Sequence, residues 1–191
     1  MSTTNRYFDL WDDMHIPGRW HLDGPVDERG QEVNPWQFKE GRLLELGVTP
    51  GFRQDPAGQP LDFTLAGLTI PLVHERVVSL FERLGLQNQV QFIAARVEGQ
   101  SQPYWILNAL RILRCIDDAR CEEVRFWEPR HGVPSRVGEY RNVAGLKVDP
   151  ARTEGADIFR PWGWTGALIV SERIKLEMER VGLSGPRFIE A

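Results

Sequence analysis

Two pairs of adjacent carboxylates, Asp12-Asp13 and Asp117-Asp118, are of the type that performs general acid–base chemistry. Neighbours on a strand point to opposite faces, so neither pair can act jointly on one substrate atom, and a surface or capping role follows. His15 and His21, with Asp23, carry metal-ligand chemistry. Their spacing fits no zinc pattern, and Pro17-Gly18 breaks any helix that could align them. Asp23, Asp27, Glu28 and Glu32 around Gly24 and Gly30 have the composition of a calcium loop without its order of carboxylates and glycine. Cys115 and Cys121 match neither a C-x-x-C redox motif nor a zinc pair, and are expected to be reduced and packed. His74 has no nucleophile or second ligand beside it and reads as a helix-boundary residue. There is no P-loop, dinucleotide fingerprint or G-x-S-x-G elbow. The expectation is a protein that is not an enzyme and uses no metal and no cofactor. An active site would have to be assembled from distant segments, such as His131 with Glu139.

Seven tryptophans are many for a chain of 191 residues. Pro161-Trp162-Gly163-Trp164 places two of them close together between flexible residues. A tryptophan at an interface combines a large apolar area with one polar donor and so anchors binding; a tryptophan-lined core is the alternative use. Net charge is −4, from 27 acidic and 23 basic side chains, with the arginines interleaved among carboxylates. Phosphate binding needs a clustered positive field, so no nucleic acid is expected as a partner. The acidic balance is compatible with a basic protein partner. The N-terminal residues lack the apolar run of a signal peptide and no window approaches a membrane span, which predicts a soluble, cytoplasmic protein with no membrane partner.

The elements that would position any site are marked by an internal similarity. Glu75 to Leu86 reads ERVVSLFERLGL and Glu172 to Leu183 reads ERIKLEMERVGL, identical at six of twelve positions. Average residue usage would give roughly one or fewer. Each copy follows a short apolar run, Thr69 to Val73 and Ala167 to Val170, and precedes a Phe-Ile pair, Phe92-Ile93 and Phe188-Ile189. This predicts a strand, helix, strand unit used twice. Val77, Leu80, Phe81 and Leu84 form one helical stripe, and Ile174, Met178 and Val181 form the other. Gly85 and Gly182 stand where a helix needs a left-handed residue, with Leu86 and Leu183 placed to pack back on the last turn. Ser171 is a good N-cap; His74, at the equivalent place, is a poorer one.

Elsewhere the pattern predicts short strands over Tyr7 to Trp11, a segment at Gly18 to Leu22, a half-buried strand at Trp36-Gln37-Phe38 and a partner for it at Gly41 to Leu46. Pro50 to Pro60 reads as a surface loop leading into Leu61 to Leu65. Val90 to Val97 and Tyr104 to Cys115 are the longest strand candidates and form a hairpin. Glu123 to Trp127 and Gly145 to Val148 follow. The fold class is α+β, a mixed, mainly antiparallel sheet with two principal helices, built from two related strand-helix-strand halves. The expected organisation is a single domain over 1–191: a β-rich segment 1–60, a first half at about 61–97, central strands 98–150 and a second half at about 157–191.

Four stretches carry a family resemblance: Val148-Asp149-Pro150, Gly155-Ala156-Asp157-Ile158-Phe159-Arg160, Leu168-Ile169-Val170-Ser171-Glu172, and Val181-Gly182-Leu183-Ser184-Gly185 running into Phe188. They resemble the C-terminal signature of a bacterial family classed among the immunity proteins of polymorphic toxin systems. Tyr104-Trp105-Ile106-Leu107-Asn108 and Cys115-Ile116-Asp117 are similar to its central Y-x-x-L-N strand and the C-I-D run after it. Asp62-Phe63-Thr64 and Pro71-Leu72-Val73 are similar to its stretch before the first helix. The resemblance covers roughly residues 36 to 191. It departs at His74, where a small cap is expected, and at Pro161 to Trp164, a variable stretch.

The resemblance implies a cytoplasmic antidote that binds a cognate toxin stoichiometrically, without turnover or cofactor. Were that toxin a nuclease with a basic cleft, carboxylates would mimic phosphates and steer association. The residues singled out for toxin contact are Asp117, Asp118, Glu122 and Glu123, leaving the longest strand, with Trp162 and Trp164. An unpaired strand at the edge of either half would allow a homodimer. The alternative is a small-molecule-binding or sensing module using the crevice between the two halves.

Overall fold

The computed structural model describes residues 6–67 and 69–191. The strands are β1 (Tyr7–Asp12), β2 (Gly51–Phe52), β3 (Phe63–Ala66), β4 (Ile70–His74), β5 (Val90–Val97), β6 (Tyr104–Ala109), β7 (Ile112–Leu113), β8 (Glu123–Phe126), β9 (Tyr140–Ala144), β10 (Ile158–Pro161), β11 (Ile169–Ser171) and β12 (Pro186–Glu190). Helix α1 (Glu75–Arg83) follows β4, and α2 (Glu172–Arg180) follows β11. With most pairings antiparallel, this is an α+β fold.

Local chemistry explains both helices. Val77, Leu80 and Phe81 of α1, and Ile174 and Met178 of α2, are buried, while the charged residues between them face out. Each helix ends in a Schellman turn: Leu86 N–H bonds Phe81 O at 3.1 Å and Leu183 N–H bonds Met178 O at 3.2 Å. Gly85 and Gly182 take φ of 71° and 63° there, as a left-handed C′ residue must. Ser171 caps α2 as expected. His74 does more than mark a boundary, because its Nδ1 accepts the Arg76 N–H at 3.3 Å and caps α1.

The sheet order is β2-β5-β6-β4-β3 in the first sheet and β12-β1-β11-β10-β7 in the second. In the first, β4 and β5 flank β6 and run antiparallel to it; in the second, β11 and β12 flank β1 in the same sense. Each sheet adds an antiparallel neighbour, β3 on β4 and β10 on β11. The two arrangements differ in the strand that joins the two flanking a helix: β6, later in the chain than the helix, stands between β4 and β5, whereas β1, from the start of the chain, stands between β11 and β12.

One cluster joins the sheets: Val77, Leu80, Phe81, Ile174 and Met178 of the helices pack with Phe8, Phe63, Leu107 and Val170. Trp20, Phe38, Phe52 and Ile106 build a second cluster, and Tyr7, Leu113, Phe159 and Ile169 a third. At the seam, Phe63 N–H bonds Ser184 O at 3.0 Å, and the Asp62 carboxylate accepts from Ser184 N–H at 2.8 Å and Arg76 at 2.7 Å. Gly185 lies so close to Phe63 O that a Cβ there would overlap it.

Several sequence expectations are corrected. Trp36 to Phe38 is not a strand but part of a 3-10 helix over Pro35–Lys39, because Asn34 accepts Trp36 N–H at 3.1 Å and Pro35 sets the first turn. Gly41 to Leu46 pairs with no strand. The Gln91 side chain takes the place of one, bonding Leu44 N–H at 3.0 Å and Leu44 O at 2.7 Å. Tyr104 to Cys115 is broken after Ala109, so that β6 enters the first sheet and β7 the second. The strand expected at Gly145 to Val148 lies earlier, as β9, leaving Val148 one bridge to Ile116.

Candidate partner-binding site

The carboxylates Asp117, Asp118, Glu122 and Glu123 lie between β7 and the start of β8, beside β9. Three of them are engaged within the chain. Asp117 holds Arg120 at 2.8 Å, Asp118 accepts the Tyr140 hydroxyl at 2.6 Å, and Glu123 holds Arg125 at 2.6 Å and Asn142 at 2.9 Å. Glu122 folds over Gly145. Burial, with Asp118 as its neighbour, raises the Tyr140 phenol well above its ordinary range. Arginines neutralise Asp117 and Glu123, whereas Asp118 is held by a neutral phenol and Glu122 forms no ion pair among the described residues.

Trp162 and Trp164 occupy the turn after β10. Trp162 N–H bonds Leu113 O at 2.8 Å, and the Arg114 guanidinium lies 3.3 Å from the centre of the Trp162 ring. Trp164 packs against the third cluster. Gly163, at φ 73°, brings the turn against Tyr140, whose ring carbon would sit 3.2 Å from an added Cβ. The same turn faces the 3-10 helix, which contributes Trp36 and Lys39. Together with Ile112, Arg136, Glu139, Thr165 and Gly166 they enclose a cleft of about 490 Å³.

The cleft is aromatic and holds a buried lysine that forms no ion pair among the described residues. Trp36 is 59% exposed, the largest exposed aromatic surface among the described residues, whereas Lys39 is only 6% exposed. Lys39 Nζ donates to Thr69 Oγ1 at 2.8 Å and lies 5.0 Å from the Trp36 ring centre. Burial, reinforced by the Arg160 charge, lowers its ammonium to about 8. Arg160 is fully buried behind the cleft wall. Its Nη1 donates to Thr165 O at 2.8 Å and Ala167 O at 3.2 Å, while Nε and Nη2 have no hydrogen-bond partner among the described residues. Burial lowers the guanidinium to about 10, against the opposing pull of Asp9. The carboxylates lining the cleft are already engaged, Glu40 with Arg42 at 2.7 Å and Glu139 with Arg136 at 3.1 Å.

Sequence reading reached Trp162 and Trp164 but missed Trp36, Lys39 and Arg160. The signal for Trp36 was the Asn34-Pro35 pair, a cap followed by a first-turn proline; nothing local marks Lys39 or Arg160 as buried.

The other candidates fall elsewhere. The crevice between the helices, about 290 Å³, is lined by His74, Arg76, Ser79, Val181 and Leu183, and Arg76 spans it to Asp62 and to Val181 O at 2.9 Å. His131 closes a turn, with Nδ1 accepting Glu128 N–H at 2.9 Å. Among the described residues no three His, Cys, Asp or Glu side chains are grouped to hold a metal ion, and no helix is long and apolar enough to cross a membrane. Cys115 and Cys121 are free thiols, and burial pushes Cys115 up to about 12.

The whole sequence, residues 2–191, matches the family model described as Immunity protein family (Imm11). The chain belongs to the Imm11 family. No curated protein matches it. For an Imm11 protein the property to be explained is recognition of a toxin. Of the two surfaces described, the cleft joins exposed aromatic area to the unpaired charge of Lys39, while the strip pairs Asp117 and Glu123 with arginines.

Proposed function

We propose that this Imm11 protein is a cytoplasmic antidote that binds its cognate toxin one to one and blocks it without turnover. The observation that carries this is the family match over essentially the whole chain. The tryptophan cleft is the anchor: large aromatic surfaces flanked by a cation are the composition of an interface centre. A tight antidote interface buries about 1,600 Å² in total, so the contact extends beyond the cleft. The contacts of Tyr140 with Asp118 and with Gly163 support taking the carboxylate strip as the adjoining part of that contact. Against a basic nuclease, Asp117, Asp118, Glu122 and Glu123 would then accelerate association.

The test is to express the gene adjacent to this one in a naive host, with and without this protein. Growth arrest that is rescued, with co-purification of the two chains at equal stoichiometry, is the expected result. A harmless neighbour, or toxicity that this protein leaves unchanged, removes the antidote reading.

A further inference from the structure

We infer that the tryptophan cleft receives an acidic side chain of the partner protein, with its carboxylate on Lys39 and the flanking apolar surface on Trp36, Trp162 and Trp164. This deepens the antidote reading and rests on it. The cleft's charge balance carries the argument. A cation removed from water with no acid beside it costs stability, and cations are seldom buried without a partner. Lys39 is such a cation: it is 6% exposed, donates to the Thr69 hydroxyl and forms no ion pair among the described residues. Arg160, 0% exposed, forms no ion pair either, but the charge of Asp9 acts on it. Glu40 and Glu139, the acids that line the cleft, are held by Arg42 and Arg136. Arg114 adds a third positive charge on the face of Trp162. The result is a positive pocket on a chain of net charge −4.

The geometry favours one carboxylate over a polyanion. Arg160 Nε and Nη2 are sealed in the interior and Arg136 is paired with Glu139, which leaves Lys39 as the lining cation without an ion pair among the described residues. A phosphate chain would need several convergent donors. An aspartate or glutamate needs one, and the surrounding indoles exclude water from the contact and strengthen it.

The experiment uses the full chain with two variants, Lys39→Met and Lys39→Arg, and two probes. The first probe is the toxin from the rescue assay; the second is a pair of capped dipeptides, acetyl-Phe-Glu-amide and acetyl-Phe-Gln-amide, followed by the indole N–H resonances. K39M is expected to raise the thermal midpoint of the free protein, since it removes a buried charge, while weakening toxin binding by about tenfold or more. K39R is expected to retain most of the affinity. The Glu peptide should shift the indole signals, the Gln peptide should not, and K39M should abolish the response. Undiminished toxin affinity in K39M overturns the inference, and so does equal binding of the two peptides. Where the adjacent gene encodes no toxin the antidote reading fails, and the peptide pair still decides what the cleft binds.

Discussion

The carboxylate strip and the tryptophan cleft are neighbours through Tyr140, yet they use charge in opposite ways. The strip is the more acidic stretch of sequence, but Arg120 and Arg125 neutralise Asp117 and Glu123, which leaves Asp118, on the neutral Tyr140 hydroxyl, and Glu122 as its net charge. Exposed pairs of that kind contribute about 0–1 kcal/mol each and are screened by salt. The cleft is less conspicuous in sequence, and it keeps Lys39 buried without an ion pair among the described residues, while Arg160 behind it feels the charge of Asp9. Local acidity or basicity therefore does not by itself give the field a partner meets; that field is the charge left after internal pairing.

The largest effect that would break this contrast is expected from Trp36→Ala. Truncating a central aromatic anchor costs about 2 kcal/mol or more of affinity, roughly thirtyfold, measurable by calorimetry on the toxin complex. Because Trp36 is 59% exposed, the thermal midpoint should hardly move. Unchanged affinity would remove the cleft as the anchor.

Next comes Gly163→Ala, at φ 73° against Tyr140. It should cost about 1–2 kcal/mol of stability by urea unfolding, from a strained backbone and displacement of the turn. A neutral result would mean that this turn is not fixed by Tyr140.

The pH dependence sharpens the electrostatic half of the comparison. Lys39 is lowered from 10.5 to about 8 in the native protein by burial and Arg160. Between those values the unfolded chain binds more protons than the native one, so stability rises with pH across that window, and the penalty is complete below it. The other charges at the cleft, the Arg136–Glu139 and Glu40–Arg42 pairs, compensate each other. Toxin affinity runs the other way. A bound carboxylate favours the ammonium, so affinity should fall as pH rises above about 8, approaching tenfold per pH unit. Affinity that stays flat to pH 9.5 would sink the role given to Lys39.

The smallest change is expected from the strip. Reversing Asp117 and Glu123 to Lys should slow association a few-fold at low salt and change affinity by less than about 1 kcal/mol. A hundredfold loss would reverse the ranking of the two regions.

Much of the scaffold was legible locally. The stripes of α1 and α2, the glycine stops and the apolar runs of β4 and β11 are set by residues within a few turns of one another, so the sequence pattern reaches them. Trp36 to Phe38 alternates like a strand, but the cap by Asn34 and the proline beside it decided for a tight helix. Tyr104 to Cys115 reads as one strand because both of its parts are apolar. Only the sheets that receive the parts divide it. Of the cleft, Trp162 and Trp164 were visible through their unusual density.

Sequence alone determined the α+β class, the two strand-helix-strand units and the family, since helical periodicity, helix stops and family motifs are local or collinear patterns. Tertiary structure decided which strand separates β11 from β12, bringing β1 between them from the far end of the chain. It also decided which charges remain unpaired. Desolvation and ion pairing depend on segments remote in sequence: Lys39 is buried beside Thr69 and near Arg160, while Asp118 finds its partner in Tyr140.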